Sequence, residues 1–297
     1  MQKSIKTNHV LTVLTSILIM SSIQSQDTTT IEVQGHRGAR GLYPENSIAA
    51  FEHALKLGVH TLELDVVISR DHKVIISHEP FMSSDICLNS EGKAIEESEE
   101  KNYNIYKLSY EEIKSFDCGS KVNKDFPNQA KMSVYKPSLS DMVHHVEKIS
   151  KTHAYNIEIK RRKSWDTIMH PDYMQFADMV ISEITELGIK DRTTVQCFDV
   201  ETLQYLNKQY PSIKLVYLVY ENKPFKKMLD KLGFMPHVYS PHYKLVNESL
   251  VAFCKKENIR LIPWTVNERK DMQELINMGC DGIITDYPDS LIQLLNE

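Results

Sequence analysis

Eight short runs rich in β-branched residues recur along the chain, separated by stretches of helical period. They are IEVQG (31–35), VHTLELDVV (59–67), AYNIEIK (154–160), TTVQCF (193–198), IKLVYLV (213–219), HVYS (237–240), IRLIPWT (259–265) and DGIITD (281–286). Their nearly continuous apolar character suits parallel strands covered on both faces. Between them, Ile48, Phe51 and Leu55 form a helical stripe that Asn46 or Ser47 could cap and Gly58 would end. Val180, Ile184 and Leu187 repeat the pattern before Gly188, and Met272, Leu275 and Ile276 before Gly279. This alternation predicts an α/β fold of one domain, a (β/α)8 TIM barrel. An open doubly wound sheet would bring a GxGxxG turn after its first strand, and this chain has none there.

One connection breaks the rhythm. After KVIIS (73–77), an extra strand expected to pair back on the second barrel strand, the chain is polar and irregular from about 80 to 137. The segment reads as a solvated surface insertion after the second barrel strand. A lid over the mouth is the functional alternative, because βα loops emerge at the catalytic end of a barrel. A helix over about 138–151 returns the chain to the third strand.

Residues 1–26 differ from the rest. Lys3 and Lys6 precede the apolar run VLTVLTSILIM (10–20), and small polar residues follow. This layout predicts a secretory signal peptide cleaved after Ser25 or Gln26, giving a mature chain of 27–297 that is periplasmic or secreted. The alternative is an uncleaved anchor, although the apolar run is shorter than the about 20 residues of a membrane span. Stable membrane insertion of the mature chain is not expected. Lys plus Arg number 35 and Asp plus Glu 40, a net charge of −5, with no concentrated basic run. Nucleic acid is therefore excluded as a partner. Of five cysteines, Cys197, Cys254 and Cys280 sit in apolar stretches as small buried hydrophobes. Cys87 and Cys118 fall in the insertion and could pair, although spacing fixes no connectivity.

The charged residues inside strands carry the chemistry. Glu63 and Asp65 lie two apart in LELDV, so the strand period points both carboxylates to one face, with Leu62, Leu64 and Val66 opposite. Glu158 and Lys160 repeat this in NIEIK, and Gln196 and Phe198 in the next strand. Three acids converging in a barrel interior repel one another and lose solvation unless a cation joins them. Carboxylate oxygens without cysteine favour Ca²⁺ or Mg²⁺. Buried salt bridges from Glu63 to Lys160 or Arg37 are the alternative. His36, in QGHRG, and His78, in IISHEP, both end strands where a barrel delivers its catalytic side chains. Two imidazoles there suit an acid/base pair, and Arg37 and Lys160 suit an anionic group such as a phosphodiester.

With these residues in place, HRG, YPENS, LELDV, SHEP, NIEIK, VQCF, PWTVN and GIITDYPD, in that order, resemble the glycerophosphodiester phosphodiesterase family from residue 31 to the C-terminus. The resemblance implies His36 and His78 as an acid/base pair, with the two roles left open, and Glu63, Asp65 and Glu158 as ligands of one divalent cation. It implies Arg37 and Lys160 as phosphate contacts, and Glu45 as a residue holding the ring in place. Trp264 would meet the glycerol moiety, with Gln196 and Phe198 flanking the same mouth. The implied activity is metal-dependent hydrolysis of glycerophosphodiesters to an alcohol and sn-glycerol 3-phosphate. Two alternatives are a phospholipase D-like enzyme acting on lysophospholipids or sphingolipids, and a barrel that binds without catalysis. The chain departs from the family after His78, where it reads HEPFMSSDICLNSEG with Glu79 in place of the usual Asp. That departure points to a different leaving alcohol.

Overall fold

The computed structural model describes residues 31–297; the predicted signal segment, 1–26, lies outside the described residues. In chain order the elements are β1 (Glu32–Gly35), α1 (Ile48–Leu57), β2 (Thr61–Ile68), β3 (Val74–Ile76), α2 (Tyr110–Ile113) and α3 (Leu139–Val146). They continue with β4 (Ala154–Ile159), α4 (Tyr173–Glu186), β5 (Thr193–Cys197), α5 (Val200–Gln209), β6 (Lys214–Val219) and α6 (Phe225–Leu232). The last are β7 (Val238–Pro241), α7 (Glu248–Lys256), β8 (Arg260–Leu261), α8 (Arg269–Met278), β9 (Gly282–Thr285) and α9 (Pro288–Leu295).

Eight parallel strands pair in the order β8-β7-β6-β5-β4-β2-β1-β9, and β3 folds back antiparallel on β2 with Val66 opposite Ile76. The β8–β9 seam is spanned by backbone bonds from Asp281 to the Leu261 carbonyl (2.9 Å), from Ile284 to that of Pro263 and from Val266 to that of Ile284 (both 3.0 Å). The result is a nearly closed barrel with helices between its strands. The eighth strand is shorter than its apolar run suggests because Pro263 has no N–H to give a ladder. Helix α3 likewise stops at Val146, short of the expected 151. The Ser47 side chain accepts from the Ala50 N–H to open α1, and Gly58, with φ of 90°, ends it.

Alternation along the strands splits the interior from the wall. Leu62, Leu64, Val66, Ile157 and Val195 point outward into the main core between strands and helices. On the inward face, the β6–β9 half carries a small apolar cluster of Val216, Val238, Ile262 and Ile284 beneath Trp264. The β1–β5 half is polar instead. There Asn156 donates to Gln34 (2.9 Å) and Gln196 (3.0 Å), while Gln196 donates to Glu63 (2.6 Å).

The segment between β3 and α3 is irregular, yet it owns a core. Met82, Cys87, Ile95, Ile105, Ile113, Phe116 and Cys118 cluster against Val67 and Ile75 on the outside of the β2–β3 pair. A Cys87–Cys118 disulfide closes it, and Cys197, Cys254 and Cys280 are free and buried. The segment flanks the barrel mouth on two sides. Gln129 donates to the Arg40 carbonyl (2.6 Å) near β1, and Asn104 to the Ile168 carbonyl (2.8 Å) in the loop after β4.

Candidate active site

The turn after β1 is shaped by backbone conformation before any side chain acts. Arg37 and Gly38 are both left-handed, with φ of 50° and 88°. A non-glycine residue in that region costs about 1–3 kcal/mol and persists where the surroundings fix it. The turn aims the Arg37 N–H at Glu63 Oε2 (2.8 Å). The Arg37 carbonyl in turn accepts from the Asn46 N–H at 3.0 Å. Asn46, also left-handed at 54°, donates its side-chain amide to Asp65 Oδ2 (2.9 Å).

Carboxylate oxygens of Glu63, Asp65 and Glu158 lie within 4.8 Å of one another, and all three residues are buried. Arg37 meets Glu63 only through its backbone; its guanidinium reaches Glu45 Oε1 (2.9 Å) and Asp65 Oδ2 (3.2 Å). Lys160 lies 2.8 Å from Glu158 and 3.7 Å from Asp65. The ion pairs between Glu63 and either base that the sequence left open therefore do not form. Glu45 pairs with the Arg37 guanidinium and lies 3.7 Å from Arg40.

Two bases serving three acids leave the triad under-compensated. Burial, with Asp65 adding, holds the Glu63 carboxyl well above the usual range. Burial also pushes Glu158 up to about 7, against the pull of Lys160. At Asp65, burial is outweighed by Arg37, His78 and Lys160, which keep it ionised. Its Oδ1 is buried with no hydrogen-bond partner among the described residues. An all-oxygen donor set with raised carboxyls and an unpartnered buried oxygen fits a hard divalent cation.

Both histidines face the same cavity, of about 300 Å³, which Arg37, Glu63, Glu158, Lys160, Gln196, Phe198 and Trp264 also line. His36 pairs with Asp286 through Nδ1 at 2.6 Å, while its Nε2 lies 4.0 Å from Glu63. Burial lowers its imidazole to about 4, although Asp286 opposes the shift. His78 Nδ1 pairs with Glu79 at 2.7 Å, and burial and Arg37 lower its pKa. Trp264 donates from Nε1 to the Ser240 carbonyl (2.9 Å) and meets Phe198 edge-on, with ring centroids 5.3 Å apart. A larger cavity of about 720 Å³ opens at the opposite end of the barrel, around Glu32, His60 and Arg260. It lies away from the strand C-termini, where barrel chemistry is built, and holds none of the residues above.

Sequence reasoning missed the residues behind His36. Asp286 accepts from Arg40 Nε (2.9 Å) and Nη2 (3.0 Å) and from Asn267 Nδ2 (2.7 Å) as well as pairing with His36. The available signal was a carboxylate ending the last strand in GIITD, at the level of the other site residues. Lys136, at the end of the insertion, is also buried near the charges of Glu45 and Glu79. No period or motif marked it.

Comparison with known proteins bears on the family and the fold. The model of the glycerophosphoryl diester phosphodiesterase family matches residues 36–290. Over 267 residues the chain is 30% identical to a glycerophosphodiester phosphodiesterase of Caldanaerobacter subterraneus subsp. tengcongensis, covering 89% of this chain and 98% of that one. Among solved structures, a putative glycerophosphoryl diester phosphodiesterase from Silicibacter pomeroyi superposes with a TM-score of 0.81 at 24% identity, covering 90% of this chain and 93% of that one. A phosphodiesterase of Oleispira antarctica, solved with the product sn-glycerol-3-phosphate, gives 0.71 at 20% identity, covering 90% and 97%. The barrel, the order of its motifs and these matches lead to one conclusion: the chain belongs to the glycerophosphoryl diester phosphodiesterase family.

Proposed function

We propose that this enzyme hydrolyses glycerophosphodiesters to an alcohol and sn-glycerol 3-phosphate. The observation that carries the reading is the meeting, in one cavity, of two imidazoles, two bases and the Glu63 and Glu158 carboxylates of a buried triad that Asp65 completes. Glu63, Asp65 and Glu158 would hold one divalent cation, Ca²⁺ or Mg²⁺, which supplies Lewis acidity and charge for the phosphoryl group. Arg37 and Lys160 add positive charge for the phosphoryl oxygens as the transition state forms. With Nδ1 paired to Asp286, His36 presents Nε2 to the cavity and takes a proton from the nucleophile, which is either water or the substrate's glycerol hydroxyl, the latter giving a cyclic phosphate that water then opens to glycerol 3-phosphate. His78, on the insertion side, gives a proton to the departing alcohol. Trp264 and Phe198 offer the glycerol carbons an apolar wall.

Export is the second part of the reading. The predicted signal segment is supported by the Cys87–Cys118 disulfide, a bond that persists in oxidising compartments. N-terminal sequencing of the processed protein should begin near residue 26 or 27; an intact N-terminus in the cytosol would refute it.

The activity test is release of glycerol 3-phosphate from glycerophosphocholine and glycerophosphoethanolamine, with EDTA, with Ca²⁺ or Mg²⁺ restored, and with His36→Ala. The expected result is cation-dependent release that falls by about two to four orders of magnitude in the variant. Near-normal turnover by His36→Ala would remove the assignment. Choline release from a lysophospholipid alone would favour a phospholipase D-like enzyme.

A further inference from the structure

The catalytic cavity has a neighbour of about 280 Å³, and His78, Glu158, Lys160 and Phe198 line both. The rest of this second wall comes from Glu79, Pro80, Ile159, Arg161, Arg162 and Trp165. His36 and Trp264 line only the first cavity. A phosphodiester centred between the histidines would therefore send its two ester arms in different directions, the glycerol toward Trp264 and the alcohol toward Trp165.

The charges along the second wall are not equivalent. Arg161 is buried and held by Asp166 (2.6 Å), Asp199 (2.6 Å) and Glu201 (2.9 Å). Lys160 is held by Glu158. The Arg162 guanidinium instead lies over the Trp165 ring, 4.2 Å from its centroid. Among the described residues no carboxylate comes within ion-pair distance of it. Stacking on an indole orients a guanidinium while leaving its planar fork of donors available to an acceptor. The platform is itself fixed: Arg162 N donates to His170 Nε2 (3.1 Å), and Phe81 of the insertion meets Trp165 edge-on at 6.5 Å. Glu79, whose carboxylate pairs with His78 Nδ1 at 2.7 Å, also lines this cavity.

We propose that Arg162, oriented by Trp165, is a specificity residue that selects phosphodiesters whose leaving alcohol carries a carboxylate, serine being one such alcohol. The inference rests on the phosphodiesterase reading above and deepens it. The insertion that departs from the family after His78 then has a role, because Pro80 and Phe81 build and brace the wall that meets the alcohol.

The test compares kcat/KM for glycerophosphoserine and glycerophosphoethanolamine, which differ by one carboxylate. The wild type should favour the serine ester about tenfold at low ionic strength, the effect of one charge-assisted hydrogen bond. Arg162→Gln should bring the ratio to about one, and Arg162→Lys should keep part of it. Lys163→Gln, which alters an exposed neighbour paired with Glu201, should keep the wild-type ratio. A wild-type ratio at or below one, or an unchanged ratio in Arg162→Gln, would overturn the inference and leave the phosphodiesterase reading intact. Release of glycerol 3-phosphate from neither ester would overturn both.

Discussion

Replacing Asp286 by Asn isolates the charge behind His36 with little change of shape. Asp286 Oδ1 faces His36 Nδ1 and Arg40 Nε, while Oδ2 accepts from Arg40 Nη2 and Asn267 Nδ2. An asparagine keeps one acceptor. Its amide must then turn toward Arg40 and Asn267, which are donors, or toward His36. In the first case His36 keeps its tautomer but loses the anion that stabilises its protonated form. A hydrogen bond to a charged group contributes about 1.5–3 kcal/mol, so kcat should fall between roughly 10- and 150-fold. In the second case Nδ1 becomes the acceptor, Nε2 carries the proton, and the loss is larger. KM should stay within about twofold, because Asp286 lies behind the imidazole and does not line the cavity. Steady-state kinetics with glycerophosphoethanolamine reads both parameters, and ¹⁵N shifts of His36 report the tautomer. A variant with kcat within threefold of wild type would refute the view that His36 acts through Nε2 under the control of Asp286.

Three further outcomes follow from the site and its supports. Glu158 at about 7, and Glu63 also raised, mean that the cation-free protein loses stability as pH rises through about 7 and these two carboxyls ionise beside Asp65. The rise in Tm on adding Ca²⁺ or Mg²⁺ to EDTA-treated protein should thus be largest near pH 8 and shrink toward pH 5.5; a shift independent of pH would contradict this. Removing the Cys87–Cys118 bond, across a separation of 31 residues, should cost about 3–4 kcal/mol by loop entropy. Limited proteolysis of the double alanine variant should cut between those positions first, and cuts that begin in the barrel would argue against an insertion with its own core. A Cβ on Gly35 would sit 2.1 Å from the Gly38 carbonyl oxygen, so Gly35→Ala should lose about 3 kcal/mol or more in urea denaturation. Gly58→Ala meets open space and only a positive φ, and should lose about 1–2 kcal/mol.

Much of the barrel was legible because each signal was local. Glu63 and Asp65 are two residues apart on one strand, so the strand period alone turns both inward. His36 directly follows β1, and position at the end of a barrel strand carries meaning, whereas His78 follows the extra antiparallel strand β3 and reaches the same cavity from there. What escaped was held by partners distant in sequence. Asp286 reaches His36 across 250 positions, a distance no period spans. The guanidinium of Arg37 was free to choose among acids, and the left-handed turn decided that its backbone would take Glu63 and its side chain Glu45. The insertion read as polar because its apolar residues are scattered through it in short pieces with no helix or strand period. Only the fold brings Ile95, Ile105 and Phe116 together, on the outside of a strand pair rather than in the barrel.

The division of the barrel into an apolar wall and a half-polar axis sets how the protein can change. Cohesion comes from the layer between strands and helices, where Phe51, Ile157 and Phe176 are fully enclosed. The residues of the proposed active site lie one strand-face away, linked by amides and carboxylates. Substitutions on the two faces share few partners, so their effects on stability should be close to additive. Such a scaffold tolerates drift at its reactive face, and a lineage built on it can exchange one alcohol for another while the shell that folds the chain stays under separate selection.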